Sequence, residues 1–283
     1  VQGAMGVGIS LSGLASAVAN AGGIGVIATP GIGQFEPDYD SNPRKANKRA
    51  LQQEIRKAKA MTSGIIGVNV MVALSNFDEL VQCSVDEKAD LLFLGAGLPL
   101  KLPETLPLDR LDEVSTKFVP IVSSGRAANL IFKTWQKRYN HIPDAVVVEG
   151  PLAGGHLGFS KEQVADPDYK LEKLVPEVVQ AIKPYEDQFN KNIPVIAAGG
   201  IYTGADISHQ LAKKPASINE EGTQIFVFNA CWDFLLYKFN NPTGNLFVSV
   251  IDEADIINDV IITRKKNPKA CIIVYLHWNF DLE

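Results

Sequence analysis

The feature that most constrains this chain is a repeated alternation between short apolar runs and stretches with helical periodicity. The apolar runs, which we interpret as strands, lie at 24–28, 65–70, 91–94, 118–122, 144–149 and 193–198. Continuous apolar strands that alternate with amphipathic helices are typical of a parallel sheet covered by helices. A further strand is expected to end just before Gln2, with most of it preceding residue 1 of a trimmed chain.

Residues 10–23 illustrate the helical stretches, because their apolar side chains recur at the spacing of one helix face. The side chains on that face are Leu11, Leu14, Ala15 and Val18. Ser10 or Ser12 is expected to cap the start of this helix, and Gly22 its end. The same spacing predicts further helices within 47–61, 126–139 and 171–182.

Glycine-rich segments follow most of the predicted strands, and their distribution decides between an open sheet and a closed barrel. They are QGAMGVG (2–8), GAGLP (95–99), SSGR (123–126), EGPLAGGHLG (149–158) and AAGGI (197–201). A doubly wound sheet gathers its ligand-binding loops at one switch point. A (β/α)8 barrel spreads them around the carboxyl ends of all its strands, and its usual size of about 250 residues fits this chain. The sequence therefore predicts an α/β fold of the (β/α)8 TIM-barrel type.

The composition excludes several classes of protein. Of the 283 residues 46% are hydrophobic, and the net charge of −5 provides no basic surface for nucleic acid or anionic membranes. No apolar run reaches the ~20 residues that a membrane-spanning helix needs. The three cysteines, Cys83, Cys231 and Cys271, are scattered and fit a reducing compartment, so we expect a cytoplasmic protein.

Two segments depart from the strand–helix alternation. Residues 29–45 are too long and polar for a tight turn and are expected to form part of the barrel rim or a lid. Residues 213–283 form an atypical C-terminal segment that follows the barrel region at 1–212. Within it, TQIFVF (223–228) is the best candidate for the last strand and is expected to pair with the first strand.

His156 is the strongest candidate for a catalytic residue. It lies among Gly154, Gly155 and Gly158, directly after a predicted strand, where barrel enzymes carry catalytic groups. A histidine with a purely structural role is the alternative interpretation. No pair of histidines has zinc-binding spacing and no Cys-x-x-Cys occurs, so no metal site is predicted.

Three further residues are candidates for ligand binding. Gly199 and Gly200 lie between a predicted strand and a predicted helix start, where backbone N–H groups bind phosphate. A tight turn, which also favours glycine, is the alternative. Asn69 is a polar residue at the end of an apolar strand and needs a hydrogen-bond partner there. The glycines of GAMGVG (3–8) lack the order of the dinucleotide fingerprint, so a Rossmann nicotinamide site is poorly supported.

Five segments, taken together and in order, resemble the FMN-dependent nitronate monooxygenases, once called 2-nitropropane dioxygenases. They are VQGAMGVGISLSGLASAVANAGGIGVIA (1–28), IIGVNVMVAL (65–74), GAGLP (95–99), VEGPLAGGHLGF (148–159) and IPVIAAGGIYTGADI (193–207). The resemblance covers residues 1 to about 212. It implies a TIM barrel that holds FMN at the carboxyl ends of its strands. The implied reaction is oxidation of alkyl nitronates or nitroalkanes by O2 to a carbonyl compound and nitrite.

The resemblance also implies the residues of the site. His156 corresponds to the family's catalytic base or nitronate-binding histidine. The residues implied to contact FMN are Gln2, Gly3, Met5, Asn69, Gly155, Gly199 and Gly200. The expected partners are a small nitronate or nitroalkane and O2, with no nucleic acid and no membrane, and a homodimer is left open.

The resemblance ends after residue 212. In the family, a Gly-Thr pair on the last strand holds the other side of the FMN phosphate, whereas Phe226 and Val227 stand at the corresponding positions here. We therefore expect weaker FMN binding than in a typical relative. Two alternatives stay open. One is an FMN-dependent enoyl-[acyl-carrier-protein] reductase, whose barrel also carries a G-G-H loop, and the other is a non-catalytic barrel with impaired flavin binding.

Overall fold

A computed structural model describes residues 1–201 throughout and, beyond them, the backbone of two strands at 225–232 and 271–278. The helices are α1 (Ser12–Asn20), α2 (Pro43–Met61), α3 (Phe77–Asp86), α4 (Gly125–Tyr139), α5 (Lys161–Ala165) and α6 (Leu171–Phe189). The strands are β1 (Ile24–Ala28), β2 (Ile65–Met71), β3 (Leu91–Gly95), β4 (Lys117–Val122), β5 (Val146–Glu149), β6 (Val195–Ala198), β7 (Ile225–Trp232) and β8 (Cys271–Trp278).

Strands β1 to β6 form one parallel sheet in which each strand pairs with the next one in the sequence. Helices connect most of them, and the connection from β3 to β4 contains only a 3₁₀ turn at Leu111–Glu113. A doubly wound sheet would reverse its strand order at the switch point, whereas a (β/α)8 barrel keeps the order of the sequence. The predicted α/β barrel class is therefore confirmed.

The six strands predicted between residues 24 and 198 are all present, and their bounds differ from the prediction by two residues or fewer. The largest shifts are at β5 and β6, which begin at Val146 and Val195. Asp144 lies just before β5, where its carboxylate accepts the Phe118 backbone N–H at 2.8 Å and pairs with Lys191 at 2.8 Å. Its own backbone N–H donates to the Phe118 carbonyl at 2.9 Å, so this residue is tied to β4 although it lies outside β5.

The start of α1 is not capped as the sequence predicted. The Ser10 Oγ accepts a hydrogen bond from the Met5 backbone N–H at 2.9 Å, and Ser12 lies inside the helix. The Ser12 backbone N–H donates instead to Glu54 Oε2 on α2 at 2.8 Å. A carboxylate that is distant in sequence therefore accepts a hydrogen bond from a backbone N–H group at the start of this helix. At the other end the prediction is confirmed, since Gly22 has a left-handed φ of 85°.

Replacing the distant cap, Glu54→Gln, is expected to destabilise the protein by about 1 kcal/mol at pH 7. Burial opposes ionisation of Glu54, but hydrogen bonds from Lys57 and Ser12 outweigh it and lower the pKa of this carboxyl. A lowered folded-state pKa contributes stability above the unfolded-state pKa, and that contribution is lost as the pH falls through the folded-state pKa. Urea unfolding should therefore show a difference between the two proteins that is present at neutral pH and shrinks as the pH falls below the ordinary carboxyl range. A difference that is constant with pH would contradict the assignment.

The buried apolar side chains form two clusters on opposite faces of the sheet. The outer cluster packs outward-facing strand residues against the helices and includes Phe118, Phe132 and Trp135. Cys83 belongs to it, and burial raises the pKa of its thiol to about 12, so the thiol is unreactive. The inner cluster fills the barrel below its mouth, with Ile24, Val26, Phe93, Val119, Val147 and Ile196.

The predicted last strand is present, but its partner differs from the prediction. Strand β7 contains most of TQIFVF and pairs in parallel with β8 along its whole length, with Phe226 opposite Ile272. These strands form a separate two-stranded sheet. Both strands are eight residues long, so mutual pairing gives each of them backbone hydrogen-bond partners along one edge. The effect expected of Phe226 and Val227 on FMN binding concerns side chains outside the described residues and stays a prediction.

Residues 29–42 form consecutive turns between β1 and α2, at the carboxyl end of the barrel, as expected of a rim segment. Arg49 on α2 fixes this segment through ion pairs with Glu36, at 2.6 Å, and Asp38. The Phe35 side chain is 78% exposed there. None of the helices within the described residues is long and apolar enough to cross a membrane.

Candidate active site

The carboxyl ends of β1 to β6 surround the mouth of the barrel. Because side chains alternate along a strand, the inner cluster identifies the last inward-facing residue of each strand. These residues are Ala28, Met71, Gly95, Ile121, Glu149 and Ala198. Alanine and glycine occupy half of these positions, so little side-chain volume lies above the inner cluster.

The loop at 150–160 carries His156 directly after β5. The imidazole is exposed and makes no hydrogen bond or ion pair with any described residue. Gly155 beside it has a φ of 81°, a conformation that favours glycine. The backbone N–H groups of 154–159 likewise donate no hydrogen bond to other described residues. The ring and these donors are therefore available to a ligand.

The turn after β6 contains Gly199 and Gly200, whose φ values are 95° and 74°. Neither of their backbone N–H groups donates a hydrogen bond to another described residue. Two adjacent N–H donors without partners at a strand end are the kind of backbone group that binds phosphate. The phosphate interpretation is compatible with this geometry.

The same turn also needs glycine for packing. A Cβ on Gly199 would lie 2.7 Å from the Ala153 backbone nitrogen, and one on Gly200 would lie 2.8 Å from the Leu152 side chain. The loops after β5 and β6 therefore contact each other through backbone atoms. Gly199→Val would disturb this contact even without a phosphate, so that variant does not test the phosphate interpretation by itself.

The side chain of Gln2 has a structural role that its sequence position did not reveal. Its Nε2 donates to Ser10 Oγ and to the Val26 carbonyl, both at 3.1 Å, and its Oε1 accepts the Val26 backbone N–H at 3.1 Å. These bonds fasten the segment before α1 to β1. They hold Gly3 and the buried Met5 beside the barrel, where the resemblance implies contacts with FMN.

Asn69 lies on the inward face of β2, level with Phe93 on β3. It is half-buried, and its side-chain amide has no partner among the described residues. Its backbone carbonyl accepts hydrogen bonds from the Thr29 N–H at 3.1 Å and the Thr29 hydroxyl at 2.9 Å. The amide is therefore free to bind a ligand carbonyl or N–H group from across the mouth.

The candidate residues lie in three places around the mouth. His156 and Gly155 lie on the loop after β5, which packs against the Gly199–Gly200 turn through Leu152 and Ala153. Asn69 faces them from β2, with β3 and β4 between. The segment that Gln2 anchors lies beside β1. All of the predicted residues thus lie at one end of the barrel.

Glu149 is a candidate residue that the sequence analysis missed. It is the last residue of β5, follows the inward-facing Val147 by two positions and therefore faces the mouth. Burial raises the pKa of its carboxyl to about 7. No described residue forms a hydrogen bond or an ion pair with that carboxyl. A charged residue at an inward register position of an apolar strand is the signal that would have identified it.

The fold and these groups define an α/β-barrel protein with glycine turns and unpartnered polar groups at the carboxyl ends of its strands. The family model described as nitronate monooxygenase matches residues 1–87 and 74–218. The chain therefore belongs to the nitronate monooxygenase family, which places it among oxidoreductases. The match ends close to residue 212, after which the motifs no longer resemble the family.

Two relatives illustrate the range of this similarity. The chain is 26% identical over 205 residues to (3aS,4S,5R,7aS)-5-hydroxy-7a-methyl-1-oxo-octahydro-1H-indene-4-carboxyl-CoA dehydrogenase of Mycobacterium tuberculosis, a match that covers 72% of this chain and 46% of the relative. It is 25% identical over 251 residues to the Bacillus subtilis protein named "Probable nitronate monooxygenase", and this match covers 80% of this chain and 63% of the relative. The chain thus spans about half the length of the dehydrogenase that it matches.

Solved structures with similar folds include FabK from Thermotoga maritima, with a TM-score of 0.53 and 30% identity over 74% of this chain and 54% of that one. Nitroalkane oxidase from Streptomyces ansochromogenes aligns with a TM-score of 0.54 and 23% identity, covering 75% of this chain and 61% of that one. The second similarity concerns the fold alone. Both agree with the barrel architecture.

Proposed function

We propose that this protein is an FMN-dependent oxidoreductase that oxidises alkyl nitronates with O2 to a carbonyl compound and nitrite. The observation that carries the proposal is a His156 ring without a hydrogen bond or ion pair on the loop that packs against the Gly199–Gly200 turn, whose N–H groups have no partner among the described residues. A proton-exchanging group and a phosphate-binding turn at one barrel mouth are what this reaction needs. Family membership and the Bacillus subtilis relative named as a probable nitronate monooxygenase support the choice.

The residues at the mouth fit FMN in three respects. The Gly199–Gly200 turn offers its N–H groups to the phosphate. The small residues Ala28, Gly95 and Ala198 leave space for a flat ring. The Asn69 amide, without a partner among the described residues, can bind a polar edge of that ring. When bound, FMN supplies the electron-transfer chemistry, and the protein binds, orients and sequesters it.

His156 is proposed to act on the substrate. Imidazole is the side chain best suited to exchange protons near neutral pH, so His156 can remove the α-proton of a neutral nitroalkane. In its protonated form it can bind an anionic nitronate. Its exposed position on the loop after β5 leaves it accessible to a small substrate that enters from solvent.

The purified chain should be yellow and should release nitrite from propionate-3-nitronate or 2-nitropropane in air. Flavin absorption is measured first, because a colourless protein that gains no colour with added FMN would favour the non-catalytic barrel. A yellow protein that consumes NAD(P)H with an enoyl thioester and releases no nitrite would favour the enoyl-[acyl-carrier-protein] reductase. Release of nitrite without NAD(P)H supports the proposal.

A further inference from the structure

Exposed apolar side chains are concentrated at the mouth of the barrel. Of the eight large hydrophobic residues that are exposed within the described part of the chain, five lie on segments at the carboxyl ends of the strands. They are Val7, Phe35, Leu98, Leu152 and Val164. Exposed hydrophobic groups that gather in one region of a surface mark binding sites. The mouth therefore offers apolar surface that the proposed reaction does not use.

Val7 and Phe35 belong to one patch, which two packed segments form. The Val7 backbone N–H donates to the carbonyl of Pro30, just after β1, at 2.8 Å. A Cβ on Gly8 would lie 2.6 Å from the Phe35 ring, so this ring packs on the Gly8 backbone. Val7 is nevertheless 57% exposed and Phe35 78%. We call these two side chains the apolar rim patch.

The segment that carries Phe35 is anchored on both sides of this residue. Arg49 binds Glu36, the next residue, at 2.6 Å. The Asn47 Oδ1 accepts the Gly33 backbone N–H at 2.9 Å. An apolar ring that is held in place and still faces solvent loses little further conformational entropy when a ligand covers it.

Val7 has a backbone conformation that is unusual for its residue type. Its φ is 55°, and a β-branched residue is strained in this left-handed region. Backbone strain is found mainly at functional sites, where the surrounding structure holds a side chain in a required position. Val7 follows Met5 by two residues, so their Cα atoms lie within about 7 Å of each other. The patch therefore begins next to the proposed flavin site.

We propose that the apolar rim patch binds the alkyl tail of the substrate, so that the preferred substrates are nitronates and nitroalkanes with a longer, uncharged hydrocarbon tail. This inference rests on the proposed function, because it places the nitro group beside His156. A tail that extends from there towards β1 crosses the mouth and meets the patch. Neither residues 6–10 nor residues 29–42 contain a lysine or an arginine. A tail that ends in a carboxylate therefore finds no cationic partner on these segments.

The expected effect follows from the burial of methylene groups. Full burial of one CH2 raises affinity about fourfold, so a patch that covers one side of the tail should contribute about twofold for each CH2. Contacts with the tail are the same in the bound substrate and in the transition state. They should therefore change KM and leave kcat unaltered.

The test measures nitrite release by the FMN-saturated chain from the nitronates of 1-nitropropane, 1-nitrobutane, 1-nitropentane and 1-nitrohexane. Phe35→Ser removes the ring, and Phe35→Leu keeps an apolar side chain. Val7→Asn removes the second apolar side chain and introduces a residue that tolerates a left-handed φ. Leu130→Ser is the matched control, because Leu130 is an exposed apolar residue on α4 and not part of the patch.

From the propyl to the hexyl nitronate, kcat/KM of the parent should rise about tenfold, through KM. Phe35→Ser and Val7→Asn should each lose most of this rise, Phe35→Leu should keep most of it, and Leu130→Ser should keep all of it. The parent should also have a lower KM for the nitronate of 1-nitrobutane than for propionate-3-nitronate, which ends in a carboxylate.

Binding of the neutral dye Nile red, which fluoresces on apolar surfaces, tests the patch without the reaction. The parent should enhance its fluorescence, and 1-hexanol should compete with it. Phe35→Ser should bind the dye more weakly than Leu130→Ser does. Urea unfolding should give the same stability for these two variants. A less stable Phe35→Ser would overturn the inference, because the ring would then be covered by protein and not free for a substrate.

The outcomes separate this inference from the proposed function. If nitrite is released but kcat/KM does not rise with tail length, or rises equally in the parent and Phe35→Ser, only this inference fails. If the parent oxidises no nitronate, the proposed function fails. In that case, dye binding that Phe35→Ser weakens would still support a site for an apolar chain, and dye binding that it leaves unchanged would overturn the site as well.

Discussion

His156→Asn should retain bound flavin but oxidise neutral nitroalkanes at least ~10²-fold more slowly than the parent, as expected when a general base is lost. Asparagine keeps the polarity of the side chain but cannot take up the α-proton. The exposed ring makes no hydrogen bond or ion pair with described residues, so its loss should not affect folding. Steady-state nitrite release from 2-nitropropane, normalised to flavin content, measures the effect.

The comparison between neutral and anionic substrates separates the two roles of His156. A base acts only on the neutral nitroalkane, so turnover of propionate-3-nitronate should fall much less if proton removal is the main role. Equal losses with both substrates would indicate nitronate binding instead. Lys161→Gln, at an exposed position on α5 without a partner among the described residues, is the control and should match the parent. Unchanged kinetics in His156→Asn would remove this residue from the mechanism.

Gly25→Ala is expected to destabilise the protein by about 3 kcal/mol or more, which is at the upper end of the overpacking range. A Cβ at this position of β1 would lie 1.9 Å from the Ala15 carbonyl oxygen and 2.8 Å from its Cα. Both atoms belong to the backbone of α1, so no side-chain rotation can relieve the clash. The helix would have to move away from the sheet.

Gly13→Ala is the matched control for this substitution. Gly13 lies in the first turn of α1, and a Cβ there would have no atom within 4 Å. Alanine in a helix is about 0.5–1 kcal/mol more favourable than glycine, so this variant should be slightly more stable than the parent. Urea unfolding followed by circular dichroism measures both changes. Equal stability of Gly25→Ala and the parent would show that α1 does not pack on β1 as closely as described.

Much of the fold could be predicted from local patterns, because the physical cause of those patterns is local. Apolar runs bounded by glycine-rich segments identified β1 to β6 with bounds correct within two residues. The cap of α1 could not be predicted, since the acceptor for the Ser12 N–H is Glu54, 42 positions away in the sequence. The pairing of β7 with β8 was not predicted for the same reason, because the pairing of two strands depends on residues that are far apart in the sequence.

In the candidate site, too, some features follow from the local sequence and others depend on contacts between distant segments. The sequence by itself determined the class of fold, the strand-end position of His156 and the glycines after β5 and β6, because strand period and backbone sterics depend on neighbouring residues. Only the tertiary structure decided that Gln2 fastens a segment to β1, that Gly199 packs against Ala153, and that desolvation at the end of β5 raises the pKa of the Glu149 carboxyl. Burial, close approach of two backbones and hydrogen-bond satisfaction depend on which segments meet in space, and that is not encoded in any local window of the chain.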